Sequence, residues 1–363
     1  MRTKKQILFD NAYYGIEQWI SRFFRNRRAK NSIKGLTFDK EFYDTFKNTV
    51  RPYWKKYGIH PNINWFKFYY HLTGTVDPRY IPDDVHHFYI IPHFDDLTYI
   101  RQMEDKNLFH LLLPTANHPD TVLKHVDNTF CNEDFTPISK EDVYDRLAQL
   151  GRFIVKPTRD TGEGADISFL TGPAEKDAVD ALLEKYGSLD FIIQRMVSQH
   201  PDLSAFNASS LNTIRVVTMV LHGKAHILSA ILRIGQSGSL VDNISKGGYQ
   251  AVIHTDTGML DKMAYTHENG IHKHVDRTAS GTLFEGARIP CWDKVRETAT
   301  ELALKLPHLK LIGWDFGVDD QGRVILIEFN CHFGQNQENC GPTFGDMTEK
   351  VLNEVFRKKS KIK

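Results

Sequence analysis

The run GWDFGVDDQGRVILIEFN, residues 313–330, constrains the fold more than any other stretch of the chain. Two apolar segments flank the turn-forming tetrapeptide DDQG, which is the pattern of a β-hairpin with buried strands. Into those strands the chain inserts Asp315, Glu328 and Asn330. With DDQG as the turn and Val318 paired with Arg323, Asp315 is expected opposite Leu326 and diagonal to Glu328. Alternation then places Asn330 on the same face, with Val324 and Leu326, while Ile325, Ile327 and Phe329 occupy the other. Diagonal neighbours lie roughly 7–8 Å apart, a gap that metal ions between the strands can bridge. Unpaired buried carboxylates are costly, so these acids need compensation. They are surface acids, a salt-bridged cluster or oxygen ligands, and two carboxylates with an amide suit Mg²⁺, which keeps waters and shares substrate phosphates.

At 363 residues the chain has room for two or three domains. Its net charge of +1 argues against a general polyanion binder, so nucleic acid is an unlikely partner. Basic charge is uneven, however: residues 1–60 carry fourteen Lys and Arg against five Asp and Glu. Up to about residue 75 the chain reads as helical, with Trp19, Phe23 and Phe24 interleaved with basic residues. Arg25, Arg27 and Arg28 could meet anionic lipid headgroups at a peripheral membrane contact, or simply form a solvated helix face. The four cysteines, Cys131, Cys291, Cys331 and Cys340, lack Cys-x-x-Cys spacing, which disfavours a disulfide framework and a zinc knuckle and fits a reducing compartment. The N-terminal stretch is interrupted by Asp10, Glu17 and Arg22 and resembles neither a signal peptide nor a membrane span. The expectation is a cytoplasmic protein.

Along the rest of the chain, YIRQMEDKNLFHLLLP reads as a helix leading into a proline-bounded turn. Strands are predicted at GRFIVKP, ADISFL, DFIIQRMV, NTIRVVTMVL and HILSAILRI, and helices at AEKDAVDALLEKYG, WDKVRETATELALKL and GDMTEKVLNEVFRKK. This mixture indicates α+β architecture. His86, His87 and His93 fall near Asp83, Asp84, Asp95 and Asp96, but without ligands at fixed helical or strand spacing they are not read as a metal site. Cys331 lacks an identifiable base or oxyanion donor and is not read as a nucleophile; His332 could face a substrate pocket.

The run FIVKPTRDTGEGADISFL ends a strand on Lys156 and follows it with a loop containing Gly162 and Gly164. Glycines let backbone N–H groups approach phosphate oxygens, and a lysine supplies a point charge for them. No G-K-[ST] follows, so this is not a Walker loop.

The order of motifs is more specific than any one of them. Lysine strand, glycine loop, FIIQRMV, LNTIRVVT, AILRI, VDNISKGG, and then LIGWDFGV with LIEFN resemble the sugar-transfer-associated group of ATP-grasp carboxylate-amine ligases over about residues 79–348. The resemblance implies two α+β lobes gripping ATP behind a helical N-terminal extension. It divides the chain into a basic, aromatic-rich region 1–78, a pre-grasp segment and N-terminal lobe 79–195, and a C-terminal lobe 196–363.

Carried over residue by residue, the resemblance makes Asp315, Glu328 and Asn330 ligands of Mg²⁺ between the ATP phosphates. Lys156 and Lys106 become phosphate lysines, with Gly162 and Gly164 in the loop that covers the phosphates. FIIQRM becomes the adenine hinge, with backbone groups of Arg195 and Val197 on the base edge and Gln194 where many relatives carry an acid. Arg215 is similar to an arginine on the γ-phosphate and acyl-phosphate; Arg233 and Asn243 are similar to the arginine and asparagine that follow it. The implied activity joins a small carboxylate, a sugar acid or amino acid, to an amine in surface-polysaccharide or cell-envelope biosynthesis. The same architecture also supports phosphotransfer to a hydroxyl.

Overall fold

The structure is a computed structural model and describes residues 20–159, 166–173, 175–268 and 271–356. The chain packs as two compact units, one formed by residues up to Asp95 together with those from His332 onward, the other by Asp96–Cys331.

The described part of the first unit is helical. Its interior is aromatic, with Phe42, Trp54, Trp65, Phe66 and Tyr69 buried. The helix Ile63–Thr73 starts where the Asn62 side chain accepts from the Asn64 N–H and stops at Gly74 in the left-handed conformation. Two single π-helical turns, Phe46–Val50 and His86–Ile90, each run into a helix with proline in its first turn, Pro52 and Pro92. Proline removes an N–H from the ladder, and a widened preceding turn accommodates the loss. Gln337 closes the unit by bonding both backbone groups of Ile81, at 2.8 Å each. Among the described residues no helix is long and apolar enough to cross a membrane.

The second unit holds two wholly antiparallel sheets. The five-stranded one has the order β2-β1-β5-β3-β4, from β1 (Thr121–Val126), β2 (Thr129–Cys131), β3 (Arg152–Pro157), β4 (Ser168–Thr171) and β5 (Phe191–Arg195). The seven-stranded one has the order β10-β9-β8-β7-β6-β11-β12. It is built from β6 (Thr213–Leu221), β7 (Lys224–Ile234), β8 (Tyr249–Ile253), β9 (Leu260–Glu268), β10 (Ile271–Val275), β11 (Leu311–Val318) and β12 (Val324–Asn330). One face of the small sheet, with Leu123, Phe153, Val155, Phe191 and Ile193, packs on the helices Lys140–Ala148 and Lys176–Tyr186. The first of these helices opens with a capping box between Ser139 and Asp142. The large sheet is covered by the helix Trp292–Lys305 through Trp292, Val295, Ala299 and Leu302. Gly258 permits this, because a Cβ there would lie 2.4 Å from the Trp292 ring and its φ is +76°.

Two sequence expectations change. The helix expected over YIRQMEDKNLFHLLLP is broken into Leu97–Met103, a 3₁₀ turn Lys106–Leu108 and Phe109–Leu112. The break comes from the Asp105 side chain, which accepts from the Asn107 N–H and starts a new turn. The hairpin register also differs. Val318 pairs with Val324 rather than Arg323, and a bulge then pairs Phe316 with Leu326 but Asp315 with Glu328, leaving Ile327 as the extra residue. Asp315 therefore stands directly opposite Glu328, not opposite Leu326. Val324 and Leu326 turn to the core with Phe316 and Phe329.

Candidate active site

The bulge has a chemical consequence. On the face of the large sheet away from its core helix, Glu328, Asp315 and Arg215 lie side by side across β12, β11 and β6, and the adjacent row aligns Thr213 with Arg233. Asp315, 1% exposed, is gripped by two guanidiniums. Arg215 contacts one carboxylate oxygen through Nε and the other through Nη2 at 2.7 Å, and Arg233 Nη1 lies 3.1 Å from the second oxygen. Burial pushes the Asp315 carboxyl up, and the two arginines oppose that rise. Burial likewise works against the Arg233 charge, but Asp242, Asp315 and Glu328 outweigh it and raise that group above its ordinary value. Asp242 reaches Arg233 at 3.5 Å and is itself held by the Thr213 hydroxyl.

The loop that carries Asp242 and Asn243 folds back tightly onto β7. A Cβ on Gly248 would fall 2.5 Å from the Ile234 carbonyl, and one on Gly235 would fall 2.4 Å from the Ser210 hydroxyl. The glycines of the DNISKGG stretch and the end of β7 thus permit the close approach. Asn243 is buried in the loop, where its carbonyl accepts from the Lys246 and Gly248 N–H groups.

Glu328 faces the opposite sign from another direction. Lys106 Nζ is 3.5 Å from its Oε2. Burial opposes ionisation, but Lys106, Lys156, Arg215 and Arg233 outweigh it and bring Glu328 down to about 2. Asn330, two residues on and on the same face, has a buried amide nitrogen with no hydrogen-bond partner.

The small sheet supplies the lysines. Lys156 is next to last in β3 and pairs with Ile192, which in turn pairs with Lys124 on β1, so both lysines lie on the face that the helices leave uncovered. Burial is the largest influence on Lys156, Lys106 adds to it, and together they bring the ammonium down to about 8 against the pull of Glu328. The Lys106 backbone N–H donates to the Thr158 carbonyl at 3.1 Å, which ties its turn to the end of the lysine strand. A crevice is lined by Lys106, Phe109, His110, His118, Lys156, Ile192 and Gln194, with Leu326 and Ile327 of β12 across from them.

Gln194 is buried, donates weakly at 3.4 Å to the Pro119 carbonyl and the Thr121 hydroxyl, and leaves its oxygen without a partner. The Arg195 N–H is engaged by the Asp120 carbonyl at 2.9 Å, so only its carbonyl can serve the expected hinge role. Val197 follows just beyond β5. Gly162 and Gly164 lie outside the described residues.

Sequence reasoning missed Lys124, His110, His118, Thr213 and Asp242. Lys124 is fully buried, donates to the carbonyls of Asn107 and Glu133 at 2.8 and 2.7 Å, and sits 4.0 Å from the Phe135 ring. Burial brings it down to about 8. The alternation in TVLKHV was the available signal for β1, and Thr213 stands two residues before Arg215, which places it on the same face.

Two antiparallel sheets, one presenting lysines and the other a carboxylate–guanidinium row, make up the second unit, and the family it falls in is of the ATP-grasp class. Within it the chain belongs to the sugar-transfer associated ATP-grasp family, whose model matches residues 90–339. No curated protein sequence matches it. Among solved structures it is similar to N5-carboxyaminoimidazole ribonucleotide synthetase in complex with ADP, at 12% identity and a TM-score of 0.41 over 69% of this chain and 52% of that one. It is similar to the D-alanine–D-alanine ligase of Bacillus anthracis complexed with ATP, at 15% identity and a TM-score of 0.37 over 69% and 64%. It is also similar to a biotin carboxylase–β,γ-ATP complex from Campylobacter jejuni, at 13% identity and a TM-score of 0.43 over 74% and 50%. The chain thus spans between half and two thirds of those proteins' length.

Proposed function

We propose that this protein is an ATP-dependent ligase that joins a small carboxylate to an amine through an acyl-phosphate, in the assembly of a surface polysaccharide or another envelope component. The observation that carries the reading is the cross-strand row Glu328–Asp315–Arg215 with Arg233 beside it, facing the same chemistry as the Lys106–Glu328 contact. Such a set of mixed charges has a use where phosphate oxygens and cations must be held together.

Lys106 and Lys156 would bind ATP phosphates, and Gln194 with the Arg195 carbonyl would meet the base. The donor chemistry of Glu328 and Asn330 fits Mg²⁺: one carboxylate that stays ionised and, on the same face of β12, one amide that carries an oxygen donor. Asp315 fits as a ligand only when Arg215 or Arg233 turns from it toward a phosphate, since both of its oxygens are engaged by guanidiniums. A bound Mg²⁺ would offset phosphate charge as the β–γ bond breaks.

The carboxylate oxygen of the substrate attacks the γ-phosphorus, the bond to the bridging oxygen breaks and ADP leaves. The amine nitrogen then attacks the acyl carbon, the C–N bond forms, phosphate departs and the nitrogen loses a proton. Arg215 and Arg233 neutralise charge on the acyl-phosphate while the amine arrives. A planar guanidinium binds two oxygens at once, which an ammonium cannot do. Arg215→Lys is accordingly expected to retain ATP binding and lose product.

The test is an ADP-release screen with candidate sugar acids and amino acids, repeated with hydroxylamine. A hydroxamate formed with any carboxylate that stimulates ADP release supports the ligase. A phosphorylated hydroxyl product made without an amine, and no hydroxamate, decides for phosphotransfer.

A further inference from the structure

The helical unit contains a second cluster of metal-binding groups, which the proposed ATP chemistry does not use. Asp83, His86 and His87 lie on one helical turn, at i, i+3 and i+4, where the segment Asp83–Val85 runs into the π turn His86–Ile90. The spacing is the fixed helical spacing that the sequence alone did not bring out, because the histidines could not be placed on a helix. One donor atom from each of the three lies within 4.8 Å of the others.

His86 is the independent pointer. It is 0% exposed, yet neither ring nitrogen has a hydrogen-bond partner. Its neighbours are rings: His87 at 5.3 Å and Phe333 at 5.7 Å between centroids, both edge-on. A buried polar group left in this state costs free energy, and imidazole nitrogens without a proton partner are what a borderline-soft cation takes. The remaining groups are arranged as ligand supports. His87 Nδ1 lies 3.0 Å from the Asp83 carbonyl, which fixes the ring. Arg25 Nη1 holds Asp83 Oδ2 at 2.7 Å, and Oδ1 lies 3.2 Å from His87 Nδ1, a contact that an ion between Oδ1 and the histidines would replace. His332 is stacked over His87, 6.1 Å between centroids, and is a further imidazole beside the cluster.

We propose that Asp83, His86 and His87 bind a divalent ion of the zinc class. Two nitrogens and one oxygen select against Mg²⁺, which prefers an all-oxygen shell, and leave a fourth position for water or His332. Tetrahedral Zn–N bonds of roughly 2.0–2.1 Å need donors about 3.4 Å apart, so a set within 4.8 Å has to close on the ion. Because Arg25 cancels the Asp83 charge, binding should be weaker than at a site with a net negative ligand set. The ion would pin the Pro82–Pro92 turn, a structural role distinct from the ATP site proposed above.

The experiment titrates the chelator-treated full-length protein with Zn²⁺ by calorimetry, and with Co²⁺ by visible absorption, in wild type, Glu328→Gln, His87→Gln and Asp83→Asn. Melting curves establish that each variant is folded. The expected result is one equivalent bound, a Co²⁺ d–d band of nitrogen and oxygen ligands, and retention of both in Glu328→Gln. His87→Gln and Asp83→Asn should each weaken binding at least tenfold. No Zn²⁺ binding by the wild type, binding lost only in Glu328→Gln, or binding unchanged in both helical variants would overturn the proposal. The Glu328 arm separates this site from the ligase reading, so either can fail alone.

Discussion

The two buried polar clusters of this protein obey opposite rules. On the large sheet every charge has an answer: Asp315 lies between Arg215 and Arg233, Arg233 also meets Asp242, and Glu328 meets Lys106. In the helical unit, His86 is buried with both nitrogens unanswered. The first cluster is self-consistent without any ligand, so a ligand there must displace an existing contact. The second lacks partners that a ligand would supply. Removing Asp315 should therefore hurt stability, and removing the His86 nitrogens should help it.

The largest expected effect tests the first half of this contrast. Glu328→Gln and Asp315→Asn should each reduce kcat by about 10²–10³, as loss of one electrostatic element at a reacting centre does. Their stabilities should differ. Glu328 is partly exposed, whereas Asp315→Asn leaves Arg215 without its counter-charge and Arg233 with Asp242 alone, at a cost of about 3–5 kcal/mol. Urea denaturation distinguishes them. Equal stability of the two variants would mean that Arg215 does not depend on Asp315 for its counter-charge, and the account of a closed network would fail.

Next in size is a pH effect on the lysine side. Lys156 carries its charge only below about 8 in the folded chain, against about 10.4 for a free lysine. Between those values the unfolded chain binds more protons, so this group's burial penalty on stability is relieved as pH rises through 8 toward 10.4. Nucleotide affinity runs the other way. If a phosphate contacts Lys156, binding takes up a proton near pH 8–9 and weakens by up to about tenfold per unit above it. Calorimetry in buffers of different ionisation enthalpy reads that proton directly. No uptake at pH 8.5 would take Lys156 off the phosphates.

Legibility in the sequence followed the same divide. Lys156, Arg215, Asp315 and Glu328 were visible because strands impose a period of two, and a charged residue within an apolar run stands out against it. The bulge at Ile327 was not visible, since nothing in VILIEFN marks which residue goes unpaired; the choice is made by pairing to β11 and burial of Leu326 and Phe329 on one side. Lys124 was missed because TVLKHV is a short strand whose buried lysine reads as a surface residue until Asn107 and Glu133 bring carbonyls to it. The Asp83–His86–His87 spacing was legible in principle. It acquires meaning from the helical segments between Pro82 and Phe94, which bring i, i+3 and i+4 onto one side of the turn.

The smallest effect tests the second half of the contrast. In a chelator, His86→Phe should raise stability by about 1–2 kcal/mol, because an aromatic ring of similar shape keeps the contact with Phe333 and removes two buried nitrogens that nothing satisfies. For a unit of this size that is a Tm increase of about 2–8 °C. With Zn²⁺ added, the order should invert: ion binding stabilises the wild type by RT ln(1 + [Zn²⁺]/Kd) and gives the variant nothing. At a hundredfold excess over Kd that is about 2.7 kcal/mol, enough to overtake the substitution. Destabilisation of His86→Phe in chelator would mean that its nitrogens do have partners, and the asymmetry between the two clusters would then disappear.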